Sequence, residues 1–164
     1  MKLNIVLVEP EIPQNTGNIA RTCACVGAKL HLVHPLGFDI SQKQVKRAGL
    51  DYWDKLDIEE HENLQKFLEK YPIKDNMFLV TTKGKQVYSE PNLTEKEEVF
   101  MLFGKETKGL PEKLLEEHLE KTIRIPMKPE IRSLNLSNAV AIIAFDCLRQ
   151  NNFENLEEIS GFFG

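Results

Sequence analysis

A chain of 164 residues, 41% apolar and 28% charged, has the length of one domain and the composition of a folded protein, which excludes a disordered one. No apolar stretch approaches the ~20 residues that cross a bilayer, and the opening MKLNIVLVEPEIP, cut off by Glu9 and Pro10, lacks the pattern of a secretory leader. The net charge of −4 argues mildly against nucleic acid, yet the acidic residues gather in 57–69, 90–98 and 112–120. Lys43, Lys46, Arg47, Lys83, Lys85, Lys105, Lys108, Arg124, Lys128 and Arg132 lie elsewhere, which leaves room for a local basic face.

In chain order, LNIVLV at 3–8 predicts a strand buried on both faces, followed by a loop, EPEIPQNTGN. A helix is predicted over about 18–26, capped by Thr16 and ended by Gly27, then a strand, KLHLV, at 29–33. Strand, helix and adjacent strand of these lengths make a βαβ unit and hence a parallel sheet. Helices are expected near 41–49 and 60–71, strands at 77–82 and 99–103, and a helix near 111–119 opened by Pro111. A short strand at 122–125, an irregular PMKPEIRSLN and a helix over about 136–150 complete the chain. The fold class is α/β, a mostly parallel sheet with helices on both faces, and residues 1–164 read as one domain. Cys23, Cys25 and Cys147 sit in apolar helical patterns, so buried thiols and a reducing cytoplasm are expected.

The last helix is apolar all round at 139–145, AVAIIAF, and so must be buried on every side. One face against the sheet and another against a second subunit achieves this, and a homodimer is the favoured reading. A helix sandwiched within one subunit is the alternative.

Common chemical motifs fail. No G-x-G-x-x-G follows the first strand, and Gly104 to Gly109 has phosphate-loop spacing but Leu110 and Pro111 where Lys and Ser/Thr are needed. His31, His34, His61 and His118 are scattered, so no metal site is predicted.

Three loops remain. In the first, Asn15 and Asn18 flank a glycine before a helix carrying Arg21, which suits either an anion site or a plain cap with a surface arginine. In the second, LFGKETKGL, glycines at a strand's carboxyl end bracket Glu106 and two lysines, either a ligand loop or a solvated turn. In the third, Ser133, Asn135, Ser137 and Asn138 lead into the apolar helix. That is more polar side chain than capping needs, and it favours a polar ligand.

The ordered set NTGNIAR, LFGKETKGL, IPM and SLNLSNAVAI resembles the three signature motifs of the SPOUT superfamily of RNA methyltransferases, most of all its TrmL-type wobble-ribose 2′-O-methyltransferases. RAGLDYW at 47–53 and TTKG at 81–84 extend the likeness over nearly the whole chain. The resemblance implies a C-terminal deep trefoil knot, against the general rule that chains are unknotted, and a homodimer with its active site at the interface. It implies S-adenosylmethionine as methyl donor, contacted by Val80, Gly104, Ile125, Ser133 and Leu134, and a catalytic pocket of Asn15, Arg21, Glu106, Ser133 and Asn135. The implied substrate is the wobble nucleotide of tRNA, cytidine or modified uridine, with leucine isoacceptors expected.

Methyl transfer from a sulfonium is an in-line displacement that needs two oriented reactants and no metal. The nucleophile, a ribose 2′-hydroxyl, is a very weak acid and needs help to lose its proton. Arg21, positioned by Asn15, is expected to bind the adjacent phosphate and either stabilise the alkoxide or accept its proton, the first being preferred because an arginine is a poor base. Ser133 and Asn135 would orient the ribose, and Glu106 the loop around both reactants. Lys43, Lys46 and Arg47 are candidate contacts to the RNA backbone, or else a solvated helix face. Two alternatives stay open: a 2′-O-methyltransferase for another RNA such as rRNA, and a dimeric RNA-binding protein without catalysis.

Overall fold

Seven strands pair in parallel in the computed structural model, which describes residues 1–40 and 53–163. They are β1 (Lys2–Val8), β2 (Lys29–Val33), β3 (Ile58–His61), β4 (Met77–Val80), β5 (Gln86–Val87), β6 (Glu98–Phe103) and β7 (Thr122–Arg124). The order across the sheet is β3-β2-β1-β6-β4-β7-β5. The helices are α1 (Pro13–Val26), α2 (Leu64–Lys70), α3 (Glu112–Glu117) and α4 (Leu136–Gln150).

Strand side chains alternate between two apolar layers. Leu3, Ile5 and Leu7 of β1 and Val99, Met101 and Phe103 of β6 pack with Ile19 and Cys23 of α1 and Val140, Ile143 and Ala144 of α4. Val6, Val8, Phe100 and Leu102 face the other way, toward Phe67 of α2 and Leu114 and Leu115 of α3. The register sets Ile5 between Leu30 and Met101, so the central strand is covered on both faces, as its unbroken apolar run predicts.

Several expectations change. The first helix begins at Pro13, not near residue 18, so Thr16 lies inside it with a buried hydroxyl that has no partner among the described residues. Proline is well suited to the first turn, where its missing N–H costs nothing. Residues 58–70 form a strand and then a helix, not one helix. Edge strand β3 carries Glu59, held by Lys29 at 2.8 Å and by Lys70, so its charges mask the strand pattern. Strand β5 is too short to leave a sequence signal. Cys23 and Cys147 are buried, but Cys25 is exposed. The helix expected at 41–49, with Lys43, Lys46 and Arg47, lies outside the described residues.

One connection is unusual. Strands β4 and β5 follow one another in sequence, yet β7 lies between them. The link 81–85 therefore crosses β7, with the Thr81 N–H donating to the Ile123 carbonyl at 3.0 Å and the Lys85 N–H to that of Thr122 at 3.3 Å.

Candidate active site

The carboxyl ends of β1, β6, β4 and β7 lie side by side, and the loops leaving them meet there. Gly104 follows β6 directly, and a Cβ on it would fall 1.9 Å from the Gly109 carbonyl carbon. Only glycine lets the loop fold back so closely. The Gly109 N–H closes it on the Lys105 carbonyl at 2.8 Å, leaving Glu106 at the tip.

Glu106 reaches across to the start of α1. Its Oε2 accepts from the Glu11 N–H at 2.8 Å, and its Oε1 from the Ile12 N–H at 3.0 Å and from Asn15 Nδ2 at 3.3 Å. Helix α1 has no capping side chain of its own, so this distant carboxylate occupies the positive end of the helix. The anion site expected at Asn15–Asn18 thus receives an internal anion. Glu11 reciprocates, its Oε1 accepting from the Thr107 N–H at 3.1 Å and hydroxyl at 2.7 Å. Those two bonds, then Lys105 and Lys108, hold the Glu11 carboxyl below its usual range. Glu9, at the end of β1, pairs with Lys105 at 2.8 Å, which pushes the lysine's pKa up.

The third loop joins through Asn135, whose Nδ2 donates to Asn15 Oδ1 at 3.1 Å. Asn135 also caps α4, its Oδ1 accepting from the Ser137 N–H at 2.9 Å and hydroxyl at 2.6 Å.

Between the loops is a cleft of about 530 Å³. Val80, Gly104, Ile125, Ser133 and Leu134 all line it, as do Asn15, Glu106 and Asn135. Arg21 does not. Because α1 starts early, Arg21 sits nearly two turns beyond Asn15, on an exposed face. Sequence reasoning missed Thr81, Thr82, Lys83, Lys108, Met127 and Arg132, which also line the cleft. TTKG at 81–84 stands out in the sequence only through the family resemblance, and nothing local marks its threonines as cleft residues. Apolar walls from Val80, Phe103, Leu110 and Ile125, with a few converging polar groups, suit a small organic ligand bearing both character types.

Among the described residues one group has metal-ligand composition: His31, Glu59 and His61, with ligand atoms within 4.8 Å of one another. Its atoms are already engaged. Asn4 Nδ2 donates to the Glu98 carboxylate and the Val99 carbonyl, so Asn4 Oδ1 must accept from His31 Nε2, at 2.9 Å. His31 Nδ1 is then the acceptor of the 3.0 Å bond with His61 Nε2. Burial, and then the neighbouring His61, push the His31 pKa down to about 3, so the ring stays neutral. Glu59 is taken up by Lys29, Lys70 and the Tyr71 hydroxyl. The group is a structural knot of polar atoms at the β2–β3 edge.

A family model described as the SpoU rRNA Methylase family matches residues 2–145. A Bacillus subtilis (strain 168) protein that carries the name of a tRNA (cytidine(34)-2′-O)-methyltransferase is 45% identical over 156 residues, 94% of this chain and 97% of that one. A solved structure named for an RNA methyltransferase of Bacillus anthracis superposes with a TM-score of 0.88 at 43% identity, covering 96% of this chain and 99% of that one. Another, concerned with 2-OH methylation of C/U34 on tRNA, gives 0.86 at 42% identity, covering 93% and 98%. The likeness read from the motifs is met at the level of family: the chain belongs to the SpoU rRNA methylase family.

Proposed function

We propose that the protein is a methyltransferase acting on the ribose 2′-hydroxyl of nucleotide 34 of tRNA, cytidine or a modified uridine, with S-adenosylmethionine as methyl donor. The observation that carries this reading is the Glu106–Asn15–Asn135 chain of hydrogen bonds, which joins all three motif loops at the wall of one cleft. The names of the close relatives supply the substrate. Leucine isoacceptors are our proposed targets.

When bound, S-adenosylmethionine supplies an electrophilic methyl group on a sulfonium. The cleft fits its two characters, since Val80, Ile125 and Leu134 offer apolar surface and the Gly104 backbone permits close approach. Ser133 and Asn135 orient the ribose, and Glu106 holds the loops together. Arg21 lies outside the cleft of its own chain, which supports its delivery into the cleft of a second copy, where it stabilises charge on the reacting oxygen.

A homodimer is supported by α4. Its inner face is buried, while Ile142 and Phe145 on its outer face are 38% and 47% exposed, so the apolar surround expected from the sequence is completed by a partner. The crossing of β7 by the 81–85 link supports reading the segment after β7 as a trefoil knot within one domain of residues 1–164. Among the described residues no helix is long and apolar enough to cross a membrane, and a tRNA substrate supports a cytoplasmic location. RNA contacts extend to Lys108 and Arg132, which line the cleft, are exposed and form no ion pair among the described residues.

The second reading, an rRNA target, rests on the family's name. Incubation with labelled donor and either bulk tRNA or ribosomal RNA separates the two. Label in tRNA alone supports our reading, and label in rRNA alone overturns it.

A further inference from the structure

The hydrogen bonds linking the three loops have a fixed direction. An ionised carboxylate only accepts, so Asn15 must turn its amide N–H toward Glu106 and its oxygen toward Asn135. A backbone N–H only donates, so Asn135 must turn its oxygen toward Ser137. The chain is anchored at both ends, and neither amide can flip without setting donor against donor or acceptor against acceptor. Asn135 Oδ1 already receives two bonds, from the Ser137 N–H and hydroxyl, and so is filled. Its Nδ2 uses one hydrogen on Asn15. The second is unused among the described residues, and the residue is exposed and lines the cleft.

We propose that Glu106, Asn15 and Ser137 are positioning residues that lock Asn135 as a pure hydrogen-bond donor toward a substrate oxygen. The inference rests on the methyl-transfer reading and specifies its chemistry. Asn135 presents no acceptor to the ribose hydroxyl and cannot take its proton. It instead stabilises the negative charge on the 2′-oxygen while the oxygen–methyl bond forms and the methyl–sulfonium bond breaks, the electron pair staying on sulfur and the hydroxyl proton passing to solvent water. Glu106 takes no part in the chemistry: its charge sets the polarity of a relay that runs through Asn15 and ends at Asn135.

The test is a polarity swap. In Asn15→Asp, two carboxylates face each other at the former 3.3 Å contact and the relay breaks. An Asp oxygen can still accept from Asn135, but repulsion from Glu106 displaces it and with it Asn135, and a misplaced donor costs roughly 100-fold in single-turnover rate, with methyl-donor affinity by calorimetry little changed. Relative to wild type, that variant should gain rate as pH falls, because a shared proton restores the missing donor. Glu106→Gln alone also lowers the rate, because an amide nitrogen in place of either carboxylate oxygen meets the Glu11 or the Ile12 N–H, donor against donor, and Asn15 loses its anchor. A wild-type rate in Asn15→Asp or in Glu106→Gln overturns the relay. Asn135→Asp, at an exposed position that leaves the core intact, replaces the donor directly; wild-type turnover there also overturns it. Wild-type protein that transfers no methyl to tRNA would sink the functional reading instead, so the two failures are distinct.

Discussion

A Cβ built on Gly84 falls 2.5 Å from the carbonyl carbon of Ile123, which places the β4–β5 link directly on the backbone of β7. Neither partner can withdraw. Ile123 is fully buried and pairs with Val80 on one side and Gln86 on the other. Gly84→Ala is therefore expected to destabilise the protein by at least about 2 kcal/mol. Methyl-donor affinity should fall with it, since Thr81–Lys83 of the same link line the cleft. Urea unfolding and calorimetry measure the two effects.

The buried histidines predict a pH dependence of stability. The folded-state pKa of His31 lies near 3 and that of His61 is also lowered, against an ordinary value of 6.5. The unfolded chain then binds more protons below 6.5, so the stabilisation present above that pH is lost as pH falls toward 3. The lowered carboxyls Glu11, Glu59 and Glu112 add their own losses only below about 4.5. Between 6.5 and 4.5 the slope belongs to histidine. Equilibrium unfolding of wild type and His31→Gln across that window checks it, and the variant should show a flatter slope.

Thr16 offers a gain in stability. Its buried hydroxyl has no partner among the described residues, which leaves the desolvation of that oxygen uncompensated by them. Thr16→Val, nearly the same shape, is expected to raise stability by about 1 kcal/mol. A lower melting temperature would show that the hydroxyl has a use.

The outer face of α4 tests assembly. Ile142→Glu with Phe145→Glu places two charges on surface that a second copy would bury. Sedimentation should show monomers with the wild-type circular dichroism spectrum, and methyl transfer should fail because Arg21 no longer reaches a cleft. An unchanged dimer would contradict this use of the helix.

Lys108 and Arg132 test the RNA path. Replacing both with alanine should weaken tRNA binding and flatten its dependence on salt, by a slope of up to about two for two lost phosphate contacts. An unchanged slope removes them from the interface.

Much of the frame was legible because apolar periodicity reports burial. LNIVLV, KLHLV and VFMLF reveal the central strands, and AVAIIAF reveals a helix whose Val140, Ile143 and Ala144 are buried. The start of α1 was hidden because Pro13 reads equally well as a loop residue and as a first helical residue. Strand β3 was hidden because Glu59 and Glu60 break its pattern, and the lysines that neutralise Glu59 are distant in sequence from one another. At the site, the motifs indicated residues that, Arg21 excepted, line one cleft, but not how they are joined. A carboxylate that caps a helix more than ninety residues away leaves no local trace, and neither does the 120-residue span from Asn15 to Asn135. The cleft position of Lys83 and Thr81 depended on the crossing over β7, which no periodicity encodes.

The most direct measurement is to locate the methyl group itself. Purified protein, labelled S-adenosylmethionine and a single tRNA are incubated, and the product is digested and mapped by mass spectrometry. The expected result is one added methyl, on the ribose of nucleotide 34, added roughly 100-fold more slowly when Asn135 is replaced by alanine. A methyl on a base, at another position, or added at the wild-type rate by that variant would contradict the account.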